Sequence, residues 1–129
     1  MPKFSGIDHV ALTVTDLQVS LEFYEKVLGV QSDVGMSDGS FVRRLLPLPG
    51  GSHLGLTLHD AGSGRPFDPT TPGLDHPGLA CASRDDLSQW AEHLEALGVA
   101  HGGVQDTDYG SALNFTDPDG NALEFFASA

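Results

Sequence analysis

Cysteine is almost absent. Cys81 is the single one in 129 residues, so no disulfide can close within the chain. Positive charge is scarce as well: 6 lysines and arginines stand against 18 aspartates and glutamates, for a formal net charge of −12. Such a balance repels phosphate backbones and anionic bilayers, which argues against nucleic acid or membrane as a partner. No apolar run approaches the roughly 20 residues that span a bilayer, and Met1 to Ser5 open no signal-peptide hydrophobic stretch. These absences predict a cytoplasmic protein. What is present is 40% hydrophobic, enough for a globular core. The length suits one domain. Half of it, about 60 residues, is marginal alone, so the halves are expected to share burial with each other or with a second chain.

The chain repeats itself. Gly6-Ile7-Asp8-His9 returns as Gly73-Leu74-Asp75-His76, and Leu28-Gly29-Val30 returns as Leu97-Gly98-Val99. Pro49-x-Gly51-x-x-Leu54-x-Leu56 returns as Pro118-x-Gly120-x-x-Leu123-x-Phe125. An internal repeat of this kind fixes architecture. Ile7 to Thr15 alternates and is rich in β-branched residues, which predicts a strand with Val10, Leu12 and Val14 on one face. Asp16 reads as an N-cap, Leu17, Leu21, Tyr24 and Leu28 have helical spacing, and Gly29 supplies the stop. Three strands are expected over 30–34, 40–46 and 52–59.

Residues 61–72, rich in Gly, Pro, Ser and Thr, read as a linker. A strand over 74–82 follows. Ser83 to Asp86 resembles a capping box, and Leu87, Trp90, Leu94 and Leu97 give the next helix its stripe. Strands are expected over 99–105, 109–116 and 121–127. The predicted organisation is a first βαβββ module over 1–60, a linker over 61–72, and a second βαβββ module over 73–129.

The repeat also selects chemistry. His9 and His76 occupy matched positions early in their strands. If a pseudo-twofold axis relates the modules, the two imidazoles can face each other, with Glu124 reaching the same point from the last strand. Glu124 sits in an otherwise apolar run, Ala122 to Ala127, where a carboxylate is costly without a cation. Two histidines and one carboxylate suit Fe(II), Mn(II), Co(II), Ni(II) or Zn(II) and leave positions open for substrate. The repeat sets Gly55 opposite Glu124, which predicts spare room on that side. His53 and His59 flank Gly55 on the same strand face and are candidate proton carriers, His53 slightly favoured. Alternation turns Arg43 toward the same face, where it can pair a substrate carboxylate. Asn114 faces the site by repeat register. His93 and His101 are expected to be solvated, and Cys81 to be packed.

The paired βαβββ units, the stretch DHVALTVTDLQVSLEFYEKVLGV and the terminal FTDPDGNALEFF resemble the vicinal oxygen chelate superfamily. That group includes glyoxalase I, fosfomycin- and bleomycin-resistance proteins, methylmalonyl-CoA epimerase and type I extradiol dioxygenases. The resemblance covers nearly the whole chain. It implies an α+β fold of two tandem modules with mixed sheets curved around a central cavity. It maps the family's metal positions onto His9, His76 and Glu124, and its remaining ligand position onto Gly55. That departure counts against a four-ligand glyoxalase I mechanism. Asn114 stands where the dioxygenases carry a tyrosine, and Ala11 where the fosfomycin enzymes carry a threonine.

The resemblance therefore implies a divalent-metal enzyme, a lyase, isomerase, transferase or ring-cleaving dioxygenase. Its alternative is a metal-free protein that sequesters a small molecule, as the bleomycin-resistance branch does. A homodimer is also implied, since modules this small need further burial.

Overall fold

The structure, a computed structural model, describes residues 1–129, the side chain of Val34 excepted. The chain forms two compact units, Met1–Gly64 and Arg65–Ala129.

In the first unit β1 (His9–Thr13) leads into α1 (Leu17–Leu28), then β2 (Val34–Ser37), β3 (Phe41–Pro47) and β4 (His53–His59). The sheet order is β1-β4-β3-β2. β1 runs parallel to β4, and the other pairs are antiparallel. The helix begins where Asp16 accepts a hydrogen bond from the Val19 amide at 3.1 Å. It ends at Gly29, whose φ of 67° is the left-handed turn that costs glycine little. Leu21, Tyr24 and Val27 of α1 are buried, as are Leu12, Leu46, Leu54 and Leu56 of the sheet. Burying each such side chain is worth about 1.5–3 kcal/mol.

The second unit repeats the course with β5 (Gly78–Ala80), α2 (Arg84–Ala96), β6 (His101–Thr107), β7 (Gly110–Thr116) and β8 (Ala122–Ser128), in the order β5-β8-β7-β6. Ser83 caps α2 in a full capping box with Asp86. Leu87, Leu94, Leu113, Phe115, Leu123 and Phe125 form the core, with Trp90 stacked on Phe125 at 4.1 Å. The turn before β8 is locked by Asp117, which accepts from the Asn121 side chain and from the Asp119 and Asn121 amides, each at 2.9 Å. The expected α+β fold of two βαβββ units is what forms.

Several boundaries differ from expectation. The strand expected over 30–34 starts only at Val34, because Glu25 of α1 takes the Ser32 amide at 3.1 Å and holds that stretch to the helix. The strand expected over 74–82 shrinks to three residues. Pro77 has no N–H for a ladder, so the chain before Gly78 stays irregular. β6 carries a bulge between His101 and Val104. Among the described residues, no helix is long and apolar enough to cross a membrane.

Candidate metal centre

His9 opens β1 and His76 lies two residues before β5. In each, the preceding aspartate holds one ring nitrogen. Asp8 Oδ1 lies 2.8 Å from His9 Nδ1, and Asp75 Oδ1 lies 2.5 Å from His76 Nδ1. A carboxylate only accepts, so in the neutral tautomer that fits these contacts Nδ1 carries the proton and Nε2 the lone pair. The Asp-His dipeptide occurs twice in the sequence, a signal that could have marked Asp8 and Asp75 as positioning residues.

In the second unit His76 Nε2 stands 3.7 Å from Glu124 Oε2. Two donors bound to one ion at about 2.1 Å sit roughly 3–3.5 Å apart, so this pair needs little adjustment to share a metal. Glu124 is only 18% exposed, and no lysine or arginine pairs with it among the described residues. Its one ion-pair partner among the described residues is His76 itself, and no group of three or more His, Cys, Asp or Glu side chains there is close enough to hold a metal ion. Gly78 is its neighbour on β5 and Asn114 its neighbour on β7. Glycine leaves the carboxylate room: a Cβ at position 78 would reach Oε1 at 4.0 Å.

The matched place in the first unit is built differently. Gly55 lies between Ala11 and Leu45. A Cβ added to Gly55 would come within 3.1 Å of the Ala11 Cβ and 3.3 Å of a Leu45 methyl. The spare room expected beside Gly55 is taken by Ala11 and Leu45.

Register separates the two candidate proton carriers. His53 is the direct cross-strand neighbour of His9, and its amide donates to the Asp8 carbonyl at 3.1 Å. His59 lies six residues along β4, opposite Phe41, with the two rings 5.9 Å apart. Arg43 is at that same end, its Nε donating to Thr57 Oγ1 at 2.8 Å.

Other candidates have structural roles. His101, expected to be solvated, is only 11% exposed. The β6 bulge folds the chain back so that the Gly103 amide donates to His101 Nδ1 at 3.0 Å, while Nε2 faces Glu95 at 3.2 Å. His93 is half-buried against Trp90. Burial, helped by the negative charge of Asp86, raises the Cys81 thiol above its ordinary range, which makes it a poor nucleophile.

Two mixed four-stranded sheets, each from one βαβββ unit with an aspartate-held histidine at its head, define a duplicated βαβββ protein. The chain belongs to the Glyoxalase/Bleomycin resistance protein/Dioxygenase superfamily, whose pattern matches residues 6–125. It is 30% identical over 128 residues to a Bacillus subtilis (strain 168) protein named "Putative ring-cleaving dioxygenase MhqA", covering 94% of this chain and 40% of that one. This chain thus spans less than half of that relative. It is 32% identical over 122 residues to a "Probable trivalent organoarsenical cleaving enzyme" of the same organism, covering 92% of this chain and 77% of that protein. Among solved structures, it is similar to a glyoxylase/bleomycin resistance protein/dioxygenase domain from Frankia sp. EAN1pec. That likeness has a TM-score of 0.91 and 35% identity, covering 98% of this chain and 100% of that one.

Proposed function

We propose that this chain is a divalent-metal-dependent enzyme of the glyoxalase and dioxygenase type. Its metal would be held by His9, His76 and Glu124, and it would act on a small molecule bearing two adjacent oxygens. The observation that carries this reading is the duplicated aspartate–histidine pair, which frees Nε2 in both units. It is strengthened by the Glu124 carboxylate, 3.7 Å from one of those nitrogens and without a cation of its own among the described residues. The donor set of two imidazoles and one carboxylate suits Fe, Mn, Co, Ni or Zn.

When bound, the metal supplies a Lewis acid for negative charge developing on substrate oxygens. The chain's own residues do the rest. Asp8 and Asp75 orient the imidazoles. His53, beside His9 in the sheet, takes or returns a proton. His59 and Arg43 serve the far end of the same sheet, and Asn114 contacts substrate next to Glu124. Ring-cleaving oxygenation is the favoured reaction, supported by the name of the first relative. Organoarsenical cleavage ranks below it, because trivalent arsenic favours thiolates and the one cysteine is packed with a raised pKa. Lyase, isomerase and transferase chemistry belong to the same site.

The protein is proposed to act in the cytoplasm as a homodimer. The metal is then shared either within one chain or between His9 of one chain and His76 and Glu124 of the other. A metal-free binding protein is the second reading, favoured by exposed Tyr109 stacked on Phe126 at 6.1 Å.

Elemental analysis of untagged protein, purified without chelator, tests the first reading. Near one transition metal per chain is expected in the parent, and its loss in the His76→Ala/Glu124→Ala double variant. Absence of metal from the parent after reconstitution would overturn it. If iron is found, catechol cleavage under oxygen is the assay to run. Recovery of metal on mixing His9→Ala with Glu124→Ala chains would identify a site shared between chains.

A further inference from the structure

From the contacts of Arg43 we infer that the first unit carries a carboxylate subsite at the end of its sheet remote from His9, and that the substrate is an organic monoacid. This rests on the proposal above that the sheet face bearing His9 is the substrate face. Arg43, Thr57 and Phe41 lie on that face by register, with Met36 beside them on β2.

The guanidinium is held in place. Its Nε donates to Thr57 Oγ1, and Thr57 is 2% exposed. Its carbon lies 4.8 Å from the centre of the Phe41 ring, and Nη1 lies 3.9 Å from Met36 Sδ. Every one of these contacts is neutral. Among the described residues no carboxylate pairs with Arg43, although acids outnumber lysines and arginines three to one in this chain. Arg84 shows the ordinary arrangement, with Asp106 at 2.7 Å. An arginine already fixed by its Nε and by an aromatic face loses little freedom when its outer nitrogens take an anion. Its planar fork matches a carboxylate.

Charge and spacing narrow the ligand. Among the described residues Arg43 is the one lysine or arginine on this face of the sheet's strands. Arg44 points to the other face by alternation, where its Nη2 donates to Ser32 at 2.7 Å. A single cation suits a monoanion better than a phosphate dianion. Arg43 pairs with Thr57, and Thr57 with Thr13, four residues along β1 from His9. That is on the order of 13 Å along the strands. The acid group is thus borne on a tail and is not part of the ring or carbonyl unit that reacts.

The test uses the full chain, 15N-labelled and metal-stripped, observed by NMR at the arginine Nε–H signals and the Thr57 and His59 amides. The probes are 4-phenylbutanoate, its neutral amide and inorganic phosphate. Saturable shifts of the Arg43 and Thr57 signals with 4-phenylbutanoate are expected, with the amide and phosphate at least about tenfold weaker. Arg43→Gln should weaken 4-phenylbutanoate about tenfold or more while keeping a dispersed spectrum. Arg43→Lys, which keeps the charge and loses the fork, should fall between them.

Equal binding of acid and amide, tighter binding of phosphate, unchanged affinity in Arg43→Gln, or no saturable shift at millimolar acid would each overturn the inference. If Arg43→Gln does not fold, the Arg43→Lys comparison and the three probes on the parent decide. Because no metal is present, the outcome is independent of whether His9, His76 and Glu124 bind one.

Discussion

The two units follow one course of strands and helix, yet their last strands carry opposite chemistry. β8 presents Glu124 above Gly78, whereas β4 presents Gly55 beneath Ala11 and Leu45. The glycine has changed strands. In the second unit it leaves space for a carboxylate, and in the first it admits an apolar lid. The far ends differ in the same spirit: Arg43 lies over Phe41 in one, and Phe126 stacks with Tyr109 in the other. Duplication kept the scaffold and the aspartate–histidine heads. The side chains between them diverged, so one unit presents a carboxylate, Glu124, and the other a guanidinium, Arg43.

The sharpest way to break this comparison is to install the missing carboxylate. Gly55→Glu should cost about 3 kcal/mol in urea unfolding, through crowding and through a carboxylate placed against Leu45. In an Ala11→Gly background the cost should drop by about 1 kcal/mol, because the 3.1 Å contact is removed. If Ala11→Gly brings no relief, the exchange of glycine between strands is not what excludes the fourth ligand.

Next in size are the orienting aspartates. Asp75→Asn and Asp8→Asn should each weaken metal binding, read by chelator competition, by about 10–100-fold. Asp75→Asn should be the more damaging, since its histidine also faces Glu124. Equal metal affinity in both variants and the parent would leave the aspartates as surface residues.

The helix starts give a smaller contrast. Ser83→Ala breaks a reciprocal capping box, and Asp16→Ala breaks one hydrogen bond. Each should cost about 1 kcal/mol in chemical denaturation, with Ser83→Ala the larger.

The smallest effect is acid-dependent. Hydrogen bonds from Arg84 and then Ser111 hold the Asp106 carboxyl below its ordinary value of 3.8. A carboxyl depressed on folding contributes stability above its unfolded pKa and loses it as pH falls through the folded one. Asp106→Asn should therefore flatten the decline of the urea midpoint below about pH 4. Asp38 and Asp68, held down by hydrogen bonds from Ser40 and Thr70, act in the same direction and should keep part of the decline. The first unit has Leu17 and Ser37 at the places matching Arg84 and Asp106, so it lacks this ion pair.

Much of the fold is legible in the sequence alone. Asp16, Ser83 and Gly29 announce helix ends through local hydrogen bonding and backbone freedom, which depend on few neighbours. Strand edges were less legible. Of residues 30–33 only Val30 favours a strand, and the Glu25 carboxylate, seven residues back on α1, claims the Ser32 amide. His101 reads as a solvated residue near a strand start, but the β6 bulge buries it. Both differences come from specific side-chain and bulge contacts, two to seven residues away, which residue propensity does not register.

The sequence by itself determined the duplication and the two βαβββ units, and it supplied the candidate site side chains, because repeats, caps and periodicity are local properties. Tertiary structure decided which of those side chains meet. Parallel pairing of β1 with β4 put His53 beside His9 and carried His59 to the other end. The ladder also brought Leu45 over Gly55 and left Arg43 with a hydroxyl, a ring and a thioether for company. Register is set by the sum of contacts across a sheet, and a shift of one residue turns every side chain to the other face. No single stretch of sequence contains that sum.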